Sequence, residues 1–153
     1  MSIPEMQARW LDDLTVGEVR RTGTHEVTRE EIIQFASEFD PQPFHLDDAA
    51  ADASIFGGLC ASGWHTASIT MSLLIEGQKL NPAAMGSPGF DELNWFRPVR
   101  PGDVLHCTMT CLSVAPSKSK PDRGVARFHI ETFNQNDEPV MDFKSIAMFR
   151  RKQ

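Results

Sequence analysis

The sequence predicts an α+β fold, a curved antiparallel sheet wrapped around one buried helix, and three observations carry that expectation. Residues 63–80 form a helix in which Trp64, Ala67, Ile69, Met71, Leu73, Leu74 and Ile75 leave almost no polar face. A helix apolar on nearly every side is buried on most sides. Later stretches alternate instead: Leu105, Cys107, Met109 and Cys111 with polar residues, and Ala126, Phe128 and Ile130 with Arg127, His129 and Glu131. Such alternation marks antiparallel strands that cover a core on one face only. Helices come early and strands late, so the two are not interleaved as in a parallel α/β sheet.

In order along the chain, residues 1–16 read as a loose lead-in anchored by Trp10 and Leu14, and residues 18–27 as a first strand with weak alternation. Thr28 opens a helix as a cap, with Glu31 placed to complete a capping box. Ile32, Ile33, Phe35, Ala36 and Phe39 form its apolar stripe, and Asp40-Pro41 stops it. Pro41 and Pro43 predict a stiff, non-helical backbone from Asp40 to Phe44. Asp47 caps a short second helix, and the small residues of 55–63 make a turn into the buried helix. Strands follow at 90–96, 104–114, 125–133 and 140–149, with the turn Arg97-Pro98-Val99-Arg100-Pro101-Gly102-Asp103 after the first and a basic loop at 115–123.

The 153 residues are read as one domain with enough length for a sizeable core. A net charge of −6 argues against nucleic acid or an anionic membrane as partner, so an anionic ligand would need a local basic cluster. Cys60, Cys107 and Cys111 are odd in number and lie in apolar surroundings, which reads as reduced core cysteine in a cytoplasmic protein. No apolar run reaches the ~20 residues of a membrane span. The N-terminus lacks the basic and apolar regions of a signal peptide. The other histidines, His25, His65, His106 and His129, have no metal-ligand spacing, so no metal is expected. His65 reads as a core or pocket-wall residue.

The chemistry-bearing stretch is Asp40-Pro41-Gln42-Pro43-Phe44-His45, in which a carboxylate and an imidazole share one stiff loop. Taken alone, an Asp before a Pro-rich turn is more often a helix stop. With Phe56-Gly57-Gly58 and Ser62-Gly63 downstream, however, the pattern Asp-x-x-Pro-apolar-His resembles the signature of MaoC-like dehydratases. The Arg97–Asp103 turn extends the resemblance. That family includes the (R)-specific enoyl-CoA hydratases and has a hot-dog fold.

The resemblance implies reversible hydration of a trans-2-enoyl-CoA to the (R)-3-hydroxyacyl-CoA. Asp40 would be base toward water, His45 acid, and the Gly63 backbone N–H part of an oxyanion hole at the start of the buried helix. Pro43, Phe44, Phe56, Gly58, Ser62 and Trp64 are the expected substrate-binding residues. Lys118, Lys120 and Arg123 are candidates for the CoA phosphates, against the plainer reading of a solvated loop. The CoA thioester enters as substrate, with no further cofactor, and a homodimer is implied.

The chain departs from the usual motif: Phe39 and Gln42 stand where the hydratases have Gly and Asn, and Met71 falls where they carry a serine, with Ser68, Thr70 and Ser72 close by. Two other readings stay open. A hot-dog thioesterase would commonly place a carboxylate on or beside the buried helix, and the first acid on that helix is Glu76, near its far end. A non-catalytic acyl-thioester-binding subunit would need neither Asp40 nor His45.

Overall fold

The computed structural model describes residues 2–152. Strand β1 (Val19–Glu26) is followed by helix α1 (Arg29–Phe39), two short helices α2 (Pro43–Leu46) and α3 (Asp48–Asp52), and the central helix α4 (Gly63–Gln78). Then come β2 (Gly89–Trp95), β3 (Val104–Pro116), β4 (Arg123–Phe133) and β5 (Pro139–Arg150). All pairings between these strands are antiparallel, in one sheet of order β1-β3-β4-β5-β2. The predicted α+β class, with a curved sheet around one helix, is the observed architecture.

Local sequence accounts for most element ends. The Thr28 hydroxyl accepts from Glu31 N at 3.1 Å, and the Asp47 carboxylate from Ala50 N at 2.8 Å, so both caps satisfy orphan N–H groups. The capping box is only half made: Glu31 Oε1 lies 2.7 Å from His25 Nε2, and Oε2 accepts from the Thr28 hydroxyl at 3.4 Å instead of from the Thr28 N–H. Asp40 ends α1 as expected. Beyond it the chain is not non-helical throughout: Pro43 sits at the first position of a single helical turn, where its missing N–H costs nothing.

Helix α4 buries Ile69, Thr70, Leu73 and Leu74 against the concave face of the sheet, where Leu105, Cys107, Phe128, Ile130 and Met141 are buried in turn. Thr70 meets Thr132 at 2.7 Å, which satisfies two hydroxyls inside that core. All three cysteines are free and buried.

The helix is less enclosed than its composition suggests. Trp64, Met71 and Ile75 form an exposed stripe beside Phe90, Trp95 and Phe96 of the neighbouring edge strand and the turn after it. Phe39, read as part of a buried stripe, is 69% exposed, because the last turn of α1 runs past the core. No described helix is long and apolar enough to cross a membrane.

Candidate functional site

The loop after α1 and the turn before α4 meet at the N-terminus of α4, and the meeting fixes two side chains. His45, on α2, is almost wholly buried. Its Nδ1 lies 2.7 Å from the carbonyl oxygen of Cys60. A carbonyl can only accept, so Nδ1 carries the proton and Nε2 is the free atom. Nε2 points at Asp40 Oδ2, 3.4 Å away. Phe44 closes the other side of the ring, edge-on at 4.6 Å between centroids, and itself packs against Phe56.

Asp40 is held by two donors. The Ser62 hydroxyl donates to Oδ2 at 2.7 Å, and Gln42 Nε2 donates to Oδ1 at 2.5 Å. Burial pushes the Asp40 carboxyl up, but the bonds from Ser62 and Gln42 and the charge on His45 outweigh it, so the group titrates below the ordinary aspartate value. Gln42, which departs from the usual motif residue, thus has a place in the site. Of the nearby hydroxyls, only one reaches the carboxylate. Ser68 bonds back to Trp64 O, Thr70 pairs with Thr132, and Ser62, the N-cap of α4, reaches Asp40.

A cleft of about 360 Å³ opens in front of the pair, lined by Asp40, His45, Phe56, Gly63, Trp64, Thr66 and residues 95–98. Gly63 is the first residue of α4, so its N–H has no acceptor within the helix, and the helix dipole adds positive potential there. Trp95 lies so close that a Cβ on Gly63 would come within 2.6 Å of its indole. The indole N–H in turn donates to Gly63 O at 2.9 Å. Close packing against the indole therefore requires glycine at this position. Gly57, at φ +63°, is needed for the turn that carries Phe56 into the cleft.

The other expected residues lie differently. Pro43 is exposed outside the cleft, Phe44 backs His45, and Gly58 packs against the Arg100 guanidinium. Ser62 is fully buried and committed to Asp40 and Trp64 N, so it supports the carboxylate where contact with substrate was expected. Lys118, Lys120 and Arg123 do not line the cleft. They stand at the turn between β3 and β4, at the Arg123/Arg150 end of the sheet, whereas the cleft adjoins the Trp95/Met141 end. At ~3.3 Å per residue these ends are about 30 Å apart within one chain. Arg123 is paired with Asp122.

Residues 95–98 and Thr66 are cleft residues that sequence reading did not place there. Their only signal was the Pro-rich turn after the aromatic strand. Arg97, at the cleft, pairs with Glu138 at 3.2 Å. His65 stacks on Phe35 at 4.8 Å and stays out of the cleft, and burial holds its pKa below the ordinary value. Among the described residues no cluster of His, Cys, Asp and Glu is arranged for a metal ion.

A second, apolar cavity of about 290 Å³ lies along the same seam between α4 and β2, lined by Met71, Ile75, Phe90, Ile130, Phe143 and Phe149 among others. Met71 is two turns beyond Gly63, or about 12 Å at ~1.5 Å per residue.

A five-stranded antiparallel sheet curled around one helix, with a cleft at that helix's N-terminus, defines a hot-dog domain. The comparisons name it further: residues 13–132 match the MaoC like domain, and the chain belongs to that family. It is similar to the MaoC-like dehydratase from Rhodospirillum rubrum, with 45% identity, a TM-score of 0.88, and coverage of 95% of this chain and 99% of that one. A 3-hydroxybutyryl-CoA dehydratase from Methylorubrum extorquens is 28% identical over 99% of this chain and 90% of its own length. The R-hydratase PhaJ1 from Pseudomonas aeruginosa shares the fold, with a TM-score of 0.73 at 24% identity, covering 94% of this chain and 86% of that chain.

Proposed function

We propose that this MaoC-like dehydratase domain catalyses the reversible addition of water to a trans-2-enoyl-CoA, giving the (R)-3-hydroxyacyl-CoA. The observation that carries the reading is the pair itself: His45 Nε2 and Asp40 Oδ2 are 3.4 Å apart and both face the cleft. One water held between them would be within hydrogen-bond reach of each, about 2.6–3.2 Å. In the hydration direction Asp40 takes a proton from that water as its oxygen attacks the β-carbon. Protonated His45 gives a proton to the α-carbon, and the Gly63 N–H stabilises charge on the thioester oxygen. Asp40 and His45 then exchange the proton across their short separation, which resets the pair. Dehydration is the same sequence reversed.

The apolar cavity along α4 suits the acyl chain, because it is lined almost wholly by apolar side chains and lies further along the helix that opens at the cleft. The exposed stripe on α4 and the open outer edge of β2 suit a second copy of this chain. A large exposed apolar patch and an unpaired strand edge are both features that proteins normally cover. A two-fold pairing of β2 with itself would be antiparallel and would set the partner's basic end beside this cleft. At ~4.8 Å per strand, the partner's Lys118–Arg123 loop would lie about 15–20 Å across the sheet. That is the scale of an extended pantetheine arm, so phosphate binding by these residues is proposed across the dimer and not within one chain. The thioesterase reading is weaker, because Glu76 lies about 20 Å along the helix from Gly63, outside the cleft.

The test is a panel of short, long and branched enoyl-CoAs, following loss of the conjugated thioester absorbance. Asp40→Asn and His45→Gln should each lower kcat on the order of 10²–10⁴-fold. The double variant should be little worse than either single one, because residues acting as a unit are non-additive. Near-normal turnover in folded Asp40→Asn would overturn the assignment.

A further inference from the structure

Two of the three groups that orient the pair come from one segment, residues 56–62; the third, Gln42, belongs to the loop of Asp40 itself. Cys60 supplies the carbonyl that fixes the His45 tautomer, and Ser62 supplies the hydroxyl that holds Asp40. This segment has no regular secondary structure of its own, since it lies between α3 and α4. What holds it is Arg100. Its guanidinium donates to the carbonyl oxygens of Gly58 at 2.7 Å and Leu59 at 3.4 Å, and also to that of Phe56. One nitrogen would sit 3.2 Å from a Cβ on Gly58, so the fit is close.

The guanidinium has no acidic partner within ion-pair distance among the described residues. Its donors go to backbone carbonyls, so its fork is spent on shaping a loop. Arg100 is itself anchored: its N–H donates to Asp103 Oδ2 at 2.8 Å, and Asp103 Oδ1 accepts from Gln135 Nε2 at 3.0 Å. Gly102 N and Val27 N exchange bonds with Val27 O and Asp103 O, which ties the turn to the end of β1. Ala61 N donates to Val99 O at 2.9 Å, a second stitch between the same two segments.

We infer that Arg100 is a positioning residue for the proposed hydration, acting through the 56–62 segment to fix His45 and Asp40. This rests on the reading of that pair as catalytic. Arginine suits the task because its planar, always-charged fork presents several donors in fixed directions, whereas a lysine offers a compact point charge on a flexible stem. Small displacements matter here, since a misplacement of ~1 Å can cost on the order of 10²-fold in rate.

The experiment compares Arg100→Ala and Arg100→Lys with the unaltered protein by two readouts. Steady-state hydration of an enoyl-CoA should show kcat lowered on the order of 10²-fold, with KM changed much less. Added guanidinium should restore part of the loss in Arg100→Ala. Independently of turnover, nitrogen-resolved NMR of the His45 ring should lose the slowly exchanging Nδ1 proton that the Cys60 carbonyl protects. If Arg100→Ala does not fold, Arg100→Lys is judged by the same two readouts. A folded Arg100→Lys protein that keeps either the original kcat or the original Nδ1 signal overturns the inference. If the unaltered protein hydrates no enoyl thioester, the functional reading fails and the ring signal alone decides whether Arg100 orients His45.

Discussion

Replacing Ser62 separates the two tasks that the structure gives it. The residue is wholly buried, its hydroxyl donates to Asp40 at 2.7 Å, and the same oxygen caps α4 by accepting from Trp64 N at 3.3 Å. Ser62→Ala removes both. Loss of an N-cap costs about 1 kcal/mol, and a hydrogen bond to a charged group is worth about 1.5–3 kcal/mol. The Asp40 side chain keeps 21% exposure, so water offsets part of the second term. A total near 2 kcal/mol is expected, or a Tm lower by about 4–8 °C for a domain of this size.

The acid limb of kcat/KM carries the sharper signal. Ser62 is one of the groups that hold Asp40 below its ordinary pKa, so without it the limb must move to higher pH. Stability follows the same sign. A carboxyl whose folded pKa is depressed contributes fully above its unfolded pKa, and that contribution is lost as pH falls through the folded one. The Tm gap between Ser62→Ala and the unaltered protein should therefore be widest at neutral pH and narrow in acid. Ser62→Gly spares most of the cap, because glycine is nearly as good there, and should shift the pH limb with a smaller loss of Tm. An acid limb that stays put in a folded Ser62→Ala protein, with Tm lowered, would refute the link between Ser62 and Asp40.

Three further outcomes are expected. Gly63→Ala forces its methyl into the Trp95 indole, so it should cost about 1–3 kcal/mol by overpacking and lower kcat on the order of 10²-fold or more by displacing a backbone donor; thermal melts and kinetics check both. Met71→Glu, set in the exposed stripe, should convert a dimer into monomers in light scattering, while a monomer before substitution would end the dimer proposal. Lys118→Ala with Arg123→Ala should raise KM for a CoA substrate more than it lowers kcat, and the difference should shrink at high salt; an unchanged KM would leave these residues as a solvated loop.

How much of this was legible beforehand follows the range of the interactions. Thr28 and Asp47 cap their helices through atoms three residues away, and the alternation in β3 and β4 needs only the period of a strand. Asp40 and His45 were legible because one short loop carries both. Ser62 reaching Asp40 joins residues 22 apart, and no local pattern marks it. The cleft wall at 95–98 depends on β2 crossing to the far edge of the sheet beside β5, which alternation cannot reveal. The basic loop looked well placed for a ligand only while its end of the sheet was unknown. Two successive hairpins, β3-β4 and β4-β5, turn at opposite ends, and that alone carries Lys118 away from His45. Glu31 made half a capping box, its carboxylate being shared between His25 and the Thr28 hydroxyl.

The lowered pKa of Asp40 also bears on how the pair divides its work. A carboxylate held low is ionised throughout the neutral range, which suits it to bind and orient water, but it is a poor resting place for a proton. Asp40 can therefore serve as the base only if the proton it gains passes on at once. In the proposed hydration, once His45 has given its proton to the α-carbon, its Nε2, 3.4 Å from Oδ2, is the titratable group placed to accept, while the Cys60 carbonyl keeps the other ring proton on Nδ1. On the proposed reading neither residue suffices alone, because each would carry the half of the transfer that the other completes.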